Sequence, residues 1–485
     1  MTTTRTPKRG HLLLLLDPLT RSPSHGSLPL RLTLEMLAAA TRPSVLLRTP
    51  VSTRPFARFA STHQHKVVIV GGGTAGVSVA AQLERAFYAE NRPLKEGDIA
   101  IVEPAQTHHY QPGWTLVGAG LQPLSLMHKP MNEVIPQGVK RYETAVSTFQ
   151  PDQNQVTTSD DSKIKYDFLV VAPGLKIDFD AIKGLREGLE NPSGPVSSIY
   201  SVDSCEKTWR NIQGFKEGRA IFTQPAGIIK CAGAPQKILW MAESQWRKDG
   251  VREQIEPIFA TGAPTMFGVP KYSAALEKIR QQRSVTGLFN HNLVEIDNKR
   301  RVATFATPEG GKKEEEFGFL HVVPPQRAPD FVKSSPLADA AGWVSVDPST
   351  TQHTKYPNIF SLGDASSMPN SKTAAAITAQ APVLVDNLRA AHDGKELGAK
   401  YDGYASCPLL TGHDELMLAE FKYGGIPKET FAPLLGSQDV PNRFYYHLKK
   451  DFFPRVYWSA LVKGVWFGTR GPFRPIDYLY QPSSA

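Results

Sequence analysis

The apolar positions of this chain change their spacing several times, and each change marks an element. At "HKVVIVGGGTAGVSVAAQLERAF" the run Lys66–Val70 is continuously apolar, and an alanine-rich helical pattern follows the glycines. A short unbroken apolar run bounded by glycine predicts a strand buried on both faces. "DIAIVEP" at 98–104 repeats the strand pattern. "YETAVSTFQPDQNQVTT" and "KIKYDFLVVAPG" predict a β-meander returning to the same sheet. A second alternation spans about 180–335. It predicts strands at "RAIFT" (219–223) and "PIFAT" (257–261), a helix from near Ala234, and an amphipathic helix at "KYSAALEKIRQQ" (271–282). "YPNIFSLGD" then predicts one more strand, followed by a loop and an alanine-rich helix.

Strands alternating with helices imply an α/β fold of two Rossmann-like dinucleotide-binding domains, the first discontinuous, with a C-terminal membrane-associating segment. The expected divisions are a leader at 1–62, the first domain at 63–180 and again at 336–395, the second at 181–335, and a C-terminal membrane region at 396–485. No run reaches the roughly 18 apolar residues of a spanning helix. The tail 443–473, "RFYYHLKKDFFPRVYWSALVKGVWFGTRGPF", interleaves aromatics with Lys and Arg. That pattern predicts a helix pair lying in a bilayer interface, with a core helix or a subunit interface as the alternative.

Charge changes the picture at the N-terminus. The formal net charge is +9, but residues 1–65 hold nine basic and two acidic side chains, leaving the remainder only slightly basic. A nucleic-acid surface is therefore not implied. Residues 36–62 contain four arginines, no acid, and many Ser, Thr and Ala, the composition of a mitochondrial transit peptide. Three cysteines, Cys205, Cys231 and Cys407, are too few for a disulfide scaffold.

Candidate chemistry gathers at three places. Gly71, Gly73 and Gly76 form GxGxxG between a strand and a helix, and Glu103 ends the next strand where an acid grips ribose hydroxyls. Gly363-Asp364 ends a later strand, and Lys372 precedes the helix that would point its positive end at a flavin. Cys231 lies just ahead of the helix from Ala234, with Lys230 and Lys237 nearby to depress its pKa. The turn after "RAIFT" has no second glycine fingerprint, which argues against NADH as electron donor. No metal ligands are assigned.

The segments "VVIVGGGTAG", "IVEPAQTHHYQPGWTLVGAG", "IFTQPAGIIKCAGAPQKI", "YPNIFSLGD", "SKTAAAITAQ" and "KYDGYASCPLLTG" resemble the sulfide:quinone oxidoreductases of animal and fungal mitochondria, within the flavin disulfide-reductase superfamily. The resemblance implies FAD, with Gly71, Gly73, Thr74, Ala75, Gly76 and Glu103 holding its ADP half and Val146 offering backbone contacts to adenine. It implies that Gln111 approaches the flavin and that Asp364 and Lys372 sit at its ribityl and pyrimidine end. It makes Cys231 the redox cysteine carrying persulfide sulfur, hydrogen sulfide and ubiquinone the substrates, and a small thiol such as glutathione the sulfur acceptor. A peripheral place on the mitochondrial inner membrane follows. A second redox cysteine is expected directly after Gly-Asp, where this chain has Ala365. Cys231 is therefore expected to work alone unless Cys205 or Cys407, both read as structural, can reach it. The alternatives are an NADH:quinone oxidoreductase and a persulfide-sensing flavoprotein without turnover.

Overall fold

The computed structural model describes residues 61–473, so the expected leader lies outside the described residues apart from its last two positions. Strand β1 (Thr62–Val70) runs through the glycine turn into helix α1 (Thr74–Ala89). Val67 to Val70 are nearly inaccessible on both faces, as a central parallel strand requires. β2 (Ile99–Val102) and β3 (Lys140–Tyr142) extend the sheet on one side, parallel to β1. β4 (Val146–Gln150), β5 (Gln155–Thr158) and β6 (Lys163–Val171) form the meander. β6 returns beside β1 in parallel, giving the order β3-β2-β1-β6-β5-β4.

The second sheet is parallel throughout. It contains β7 (Val196–Ser197), then helix α2 (Val202–Gly214), β8 (Gly218–Gln224), helix α3 (Ala234–Lys248), β9 (Ile255–Thr261), helix α4 (Pro270–Gln282), β10 (Thr286–Phe289) and β11 (Phe319–His321). Its order is β7-β11-β8-β9-β10. The chain then returns to the first sheet. β12 (Ile359–Ser361) pairs in parallel with the end of β6, and helix α5 (Ala374–His392) packs on α1. Both sheets thus aim strand ends and helix N-termini at common ground, where α/β folds bind ligands.

An antiparallel hairpin follows, β13 (Ala405–Gly412) and β14 (Glu415–Lys422). It packs on α3 and shares a hydrophobic core with Ile238 and Trp240. Gly233 permits this contact, because a Cβ there would stand 2.3 Å from Leu409 Cδ2.

The tail differs from the expected helix pair. Residues 443–461 form one helical stretch in which π turns at Leu448–Phe452 and Tyr457–Leu461 alternate with α turns. Pro454, which has no N–H to donate, lies between the two π turns. One side of this stretch buries Tyr445, Tyr446, Lys449 and Tyr457, while Phe444 and Phe452 are exposed. Among the described residues, no helix is long and apolar enough to cross a membrane.

Candidate active site

The three glycines of the first turn do different work. Gly71 has φ +102°, and a Cβ there would lie 2.5 Å from the Ala172 carbonyl oxygen. A Cβ on Gly76 would lie 1.9 Å from the Gly71 oxygen, so both positions are closed by the protein itself. Around Gly73 a Cβ would meet nothing within 4 Å. Gly73 lines a cavity of about 1090 Å³, and the N-terminus of α1 carries no side-chain cap and no acid in its first turn. Free N–H groups facing open space suit an anionic phosphate, so these residues fit a dinucleotide.

The same cavity is lined by Thr74, Ala75, Gln111, Lys230, Cys231, Lys237, Asp364, Lys372 and Lys449. Glu103 and Val146 are not in its wall. The Glu103 carboxylate accepts N–H bonds from Gly72 (2.7 Å) and Ala105 (2.7 Å), beneath the turn. Val146 begins β4 with its side chain in the first core. Gln111 accepts from Lys230 Nζ at 2.6 Å. Asp364 sits in a short 3-10 turn, where burial raises its pKa against the pull of Lys372 and Lys230. Lys372 donates to the Ser366 carbonyl at 2.8 Å and lies over the Trp343 ring, and burial lowers it to about 8.

Cys231 is held in a strained backbone, φ +51°. Its N–H donates to the Lys372 carbonyl (2.8 Å), its own carbonyl accepts from Ala234 N–H (2.7 Å), and Tyr200 Oη donates to the Lys230 carbonyl (3.0 Å). The first of these bonds fastens the loop before α3 to the loop before α5, bringing a thiol from one sheet's domain to the helix terminus of the other. Lys237 Nζ donates to Cys231 Sγ at 3.1 Å.

Cys407, carried on β13 opposite Gly233, hydrogen-bonds its thiol to Cys231. That bond is the largest influence holding the Cys231 pKa well below the usual thiol range. Burial opposes it, and Lys237 and Lys449 reinforce it. Cys407 is correspondingly raised, first by the same bond and then by burial. Burial works against the charge of Lys237, but the thiolate outweighs it and the lysine pKa rises. Burial lowers Lys449 to about 7 and Lys230 to about 8.

Residues 65–212 match the family model described as pyridine nucleotide-disulphide oxidoreductase. The mitochondrial sulfide:quinone oxidoreductase of Schizosaccharomyces pombe is 47% identical over 439 residues, covering 87% of this chain and 95% of that protein. The corresponding protein of Dictyostelium discoideum is 47% identical over 413 residues, covering 85% and 89%. The chain belongs to the sulfide:quinone oxidoreductase family. The X-ray structure of the sulfide:quinone oxidoreductase from Aquifex aeolicus shares the fold, with a TM-score of 0.65 at 19% identity, covering 82% of this chain and 92% of that one.

Against the sequence expectations for a sulfide:quinone oxidoreductase, two corrections follow. Cys407, expected to be structural, is brought beside Cys231 by the packing of β13 on α3, so Ala365 does not leave Cys231 without a neighbouring cysteine. Of the two lysines expected beside Cys231, Lys230 interacts with it electrostatically but spends its Nζ on Gln111 and the Trp114 ring. Lys237 makes the direct contact with the sulfur, and Lys449 from the tail adds a further cationic influence. Cys205 is fully buried in α2, and burial pushes its thiol up to about 12. Sequence reasoning missed Lys449 altogether, and also Tyr457, which lines the cavity beside Thr74. The segment containing Cys407 was among those resembling the family, and that was the available signal.

Proposed function

We propose that this protein oxidises hydrogen sulfide, sending two electrons through bound FAD to ubiquinone and the sulfur to a small thiol such as glutathione. The observation that carries the reading is Cys231, which shares a cavity with the dinucleotide turn, takes the Lys237 Nζ on its sulfur, and has Cys407 and Lys449 acting on it from β13 and the tail. The name of the relatives at 47% identity supports it.

Gly71, Gly73, Thr74, Ala75, Gly76 and Glu103 hold the ADP half of FAD, Val146 meets the adenine through its backbone, and Gln111, Asp364 and Lys372 attend the flavin end. When bound there, the flavin supplies a two-electron relay between thiol and quinone chemistry. The lysines Lys230, Lys237, Lys372 and Lys449 make the cavity cationic, which concentrates hydrosulfide, a small anion.

Cys231 and Cys407 begin the cycle as a disulfide. Hydrosulfide adds to the Cys407 sulfur, and the S–S bond breaks toward Cys231. The sulfur with the lower thiol pKa leaves faster, and Lys237 receives the departing thiolate. Cys407 now carries an outer sulfur as a persulfide. The acceptor thiolate takes that sulfur and leaves Cys407 as a thiol. Re-forming the disulfide releases two electrons, which reduce one quinone to quinol with two protons. The sum is sulfide plus thiol plus quinone giving thiol persulfide plus quinol.

The place of action is the mitochondrial inner membrane, bound peripherally through residues 443–473. Phe444, Phe452 and Phe473 are exposed and line the mouth of the cavity, an arrangement suited to a quinone arriving from a bilayer. The deciding experiment mixes purified holoprotein with sulfide, then with a short-chain ubiquinone, and follows the flavin absorbance. Sulfide should bleach it and quinone restore it, and Cys231→Ser should prevent the bleaching. A flavin untouched by sulfide but bleached by NADH would overturn the proposal.

A further inference from the structure

Tyr457 belongs to the tail but ends at the glycine turn. It is buried, and its Oη lies 2.8 Å from Thr74 Oγ1 and 2.6 Å from His108 Nε2. His108 Nδ1 lies 2.9 Å from the Gly72 carbonyl oxygen. These partners fix every proton. A carbonyl only accepts, so Nδ1 carries hydrogen and donates to Gly72. Burial lowers His108 to about 4, so the ring is neutral and Nε2 accepts from the Tyr457 hydroxyl. That hydroxyl in turn accepts from Thr74. The run Thr74→Tyr457→His108→Gly72 thus starts and ends on either side of Gly73, and crosses the tail once. The Tyr110 ring, 4.5 Å from that of Tyr457, closes the other side.

We propose that Tyr457 is a positioning residue of the flavin site, which makes flavin binding and seating of the C-terminal segment stabilise each other. The proposal rests on the reading that the Gly71–Gly76 turn holds the flavin nucleotide. Tyr457 fixes Thr74, the first residue of α1, and through His108 the carbonyl of Gly72, so the turn keeps its ligand-ready shape only while the tail is in place. Coupling of this kind is reciprocal: whatever the seated tail contributes to flavin affinity, bound flavin returns to seating. The same segment carries Lys449 to the cysteine pair and Phe444 and Phe452 to the surface. A flavin-free chain would therefore lose the arrangement of its cysteine centre and of its exposed aromatics as well.

The test uses full-length protein. Tyr457→Phe leaves His108 Nε2 and the Thr74 hydroxyl without their partner, and should weaken flavin binding about tenfold, measured as flavin released on dilution. It should also speed tryptic cleavage within 443–473. Tyr445→Phe is the control: the Tyr445 hydroxyl is buried with no hydrogen-bond partner, so both readouts should stay at wild type. Gly73→Val supplies a flavin-free chain, whose tail should be cut faster than that of wild-type holoprotein. Wild-type flavin affinity in Tyr457→Phe, or equal tail protection in Gly73→Val and holoprotein, overturns the coupling. Should Tyr457→Phe fail to fold, the Gly73→Val comparison decides alone. Flavin retained by Gly73→Val would instead sink the underlying assignment of the turn.

Discussion

Replacing Lys237 with Met removes the cation nearest the Cys231 sulfur and keeps the length of the side chain. At 3.1 Å and an effective dielectric of about 20, the Coulomb attraction is about 5 kcal/mol. That is an upper bound, since burial of the lysine offsets part of it and Lys449 and the Cys407 thiol remain. Hydrogen bonds to charged groups are worth about 1.5–3 kcal/mol net, and 1.4 kcal/mol moves a pKa by about one. The Cys231 pKa should therefore rise by about 1–2. The assay is alkylation of the reduced protein by iodoacetamide across a pH series, with the Cys231 peptide quantified apart from that of Cys407. The thiolate is the reactive form. Wild-type Cys231, with its depressed pKa, should react at a nearly constant rate through neutral pH. In Lys237→Met the rate should fall as pH drops through the raised pKa, displacing the whole profile toward alkali. Lys237→Arg, which keeps the charge, should lie close to wild type. A Lys237→Met profile superimposed on that of wild type would refute the assignment of Lys237 as the thiolate's partner.

Other outcomes follow from the same geometry. Gly73→Val should fold with near wild-type thermal stability, because a Cβ there meets no protein atom, yet purify colourless; a yellow, fully loaded variant would contradict the nucleotide turn. Cys407→Ser should stop turnover with sulfide while flavin stays bound, and Cys205→Ser should leave turnover nearly unchanged; equal activity in the two variants would separate Cys407 from the chemistry. The double change Phe444→Asp and Phe452→Asp should weaken sedimentation with lipid vesicles by at least about tenfold, from lost apolar burial alone, and spare reduction of short-chain quinone. Unaltered vesicle binding would remove those aromatics from the membrane contact.

The strand, turn and helix that fit a dinucleotide could be read locally. "VVIVGGGTAG" states a buried strand, a tight turn and a helix start within ten residues, and each statement depends only on neighbours along the chain. Cys407 could not be read in that way. Seven of the eight residues of "ASCPLLTG" are buried, so the strand shows no polar face, and nothing in it says that α3 covers the face carrying the thiol. The position beside Asp364, where a partner cysteine is expected, holds Ala365, which is fully buried, its carbonyl accepting the Val344 N–H. The tail was legible as amphipathic, but not as a stretch that alternates α and π turns. Each π turn shifts the side-chain register, and the buried side then carries Lys449 and Tyr457, whose polar ends are spent on Pro112, Thr74 and His108. A helical wheel identifies an inward face; it does not say what that face touches.

The second parallel sheet has the strand–turn–helix order of a dinucleotide-binding unit, and its use here explains why the electron donor differs. In such units the helix following the first strand offers its N-terminus to a pyrophosphate, and glycines in the turn let the phosphates approach. At the start of α3 that approach is closed. Cys231 spends its N–H on the Lys372 carbonyl, the Ala234 N–H is taken by the Cys231 carbonyl, and Pro235 has none to give. Leu409 and Cys407 press against Gly233, where a nucleotide would need room. A hairpin packs against the start of α3 instead, and it carries a thiol. The Lys237 cation, one turn into the same helix, meets a thiolate instead of a phosphate. In the proposed cycle the two electrons come from sulfur held at the terminus of α3, and no reduced nucleotide is required.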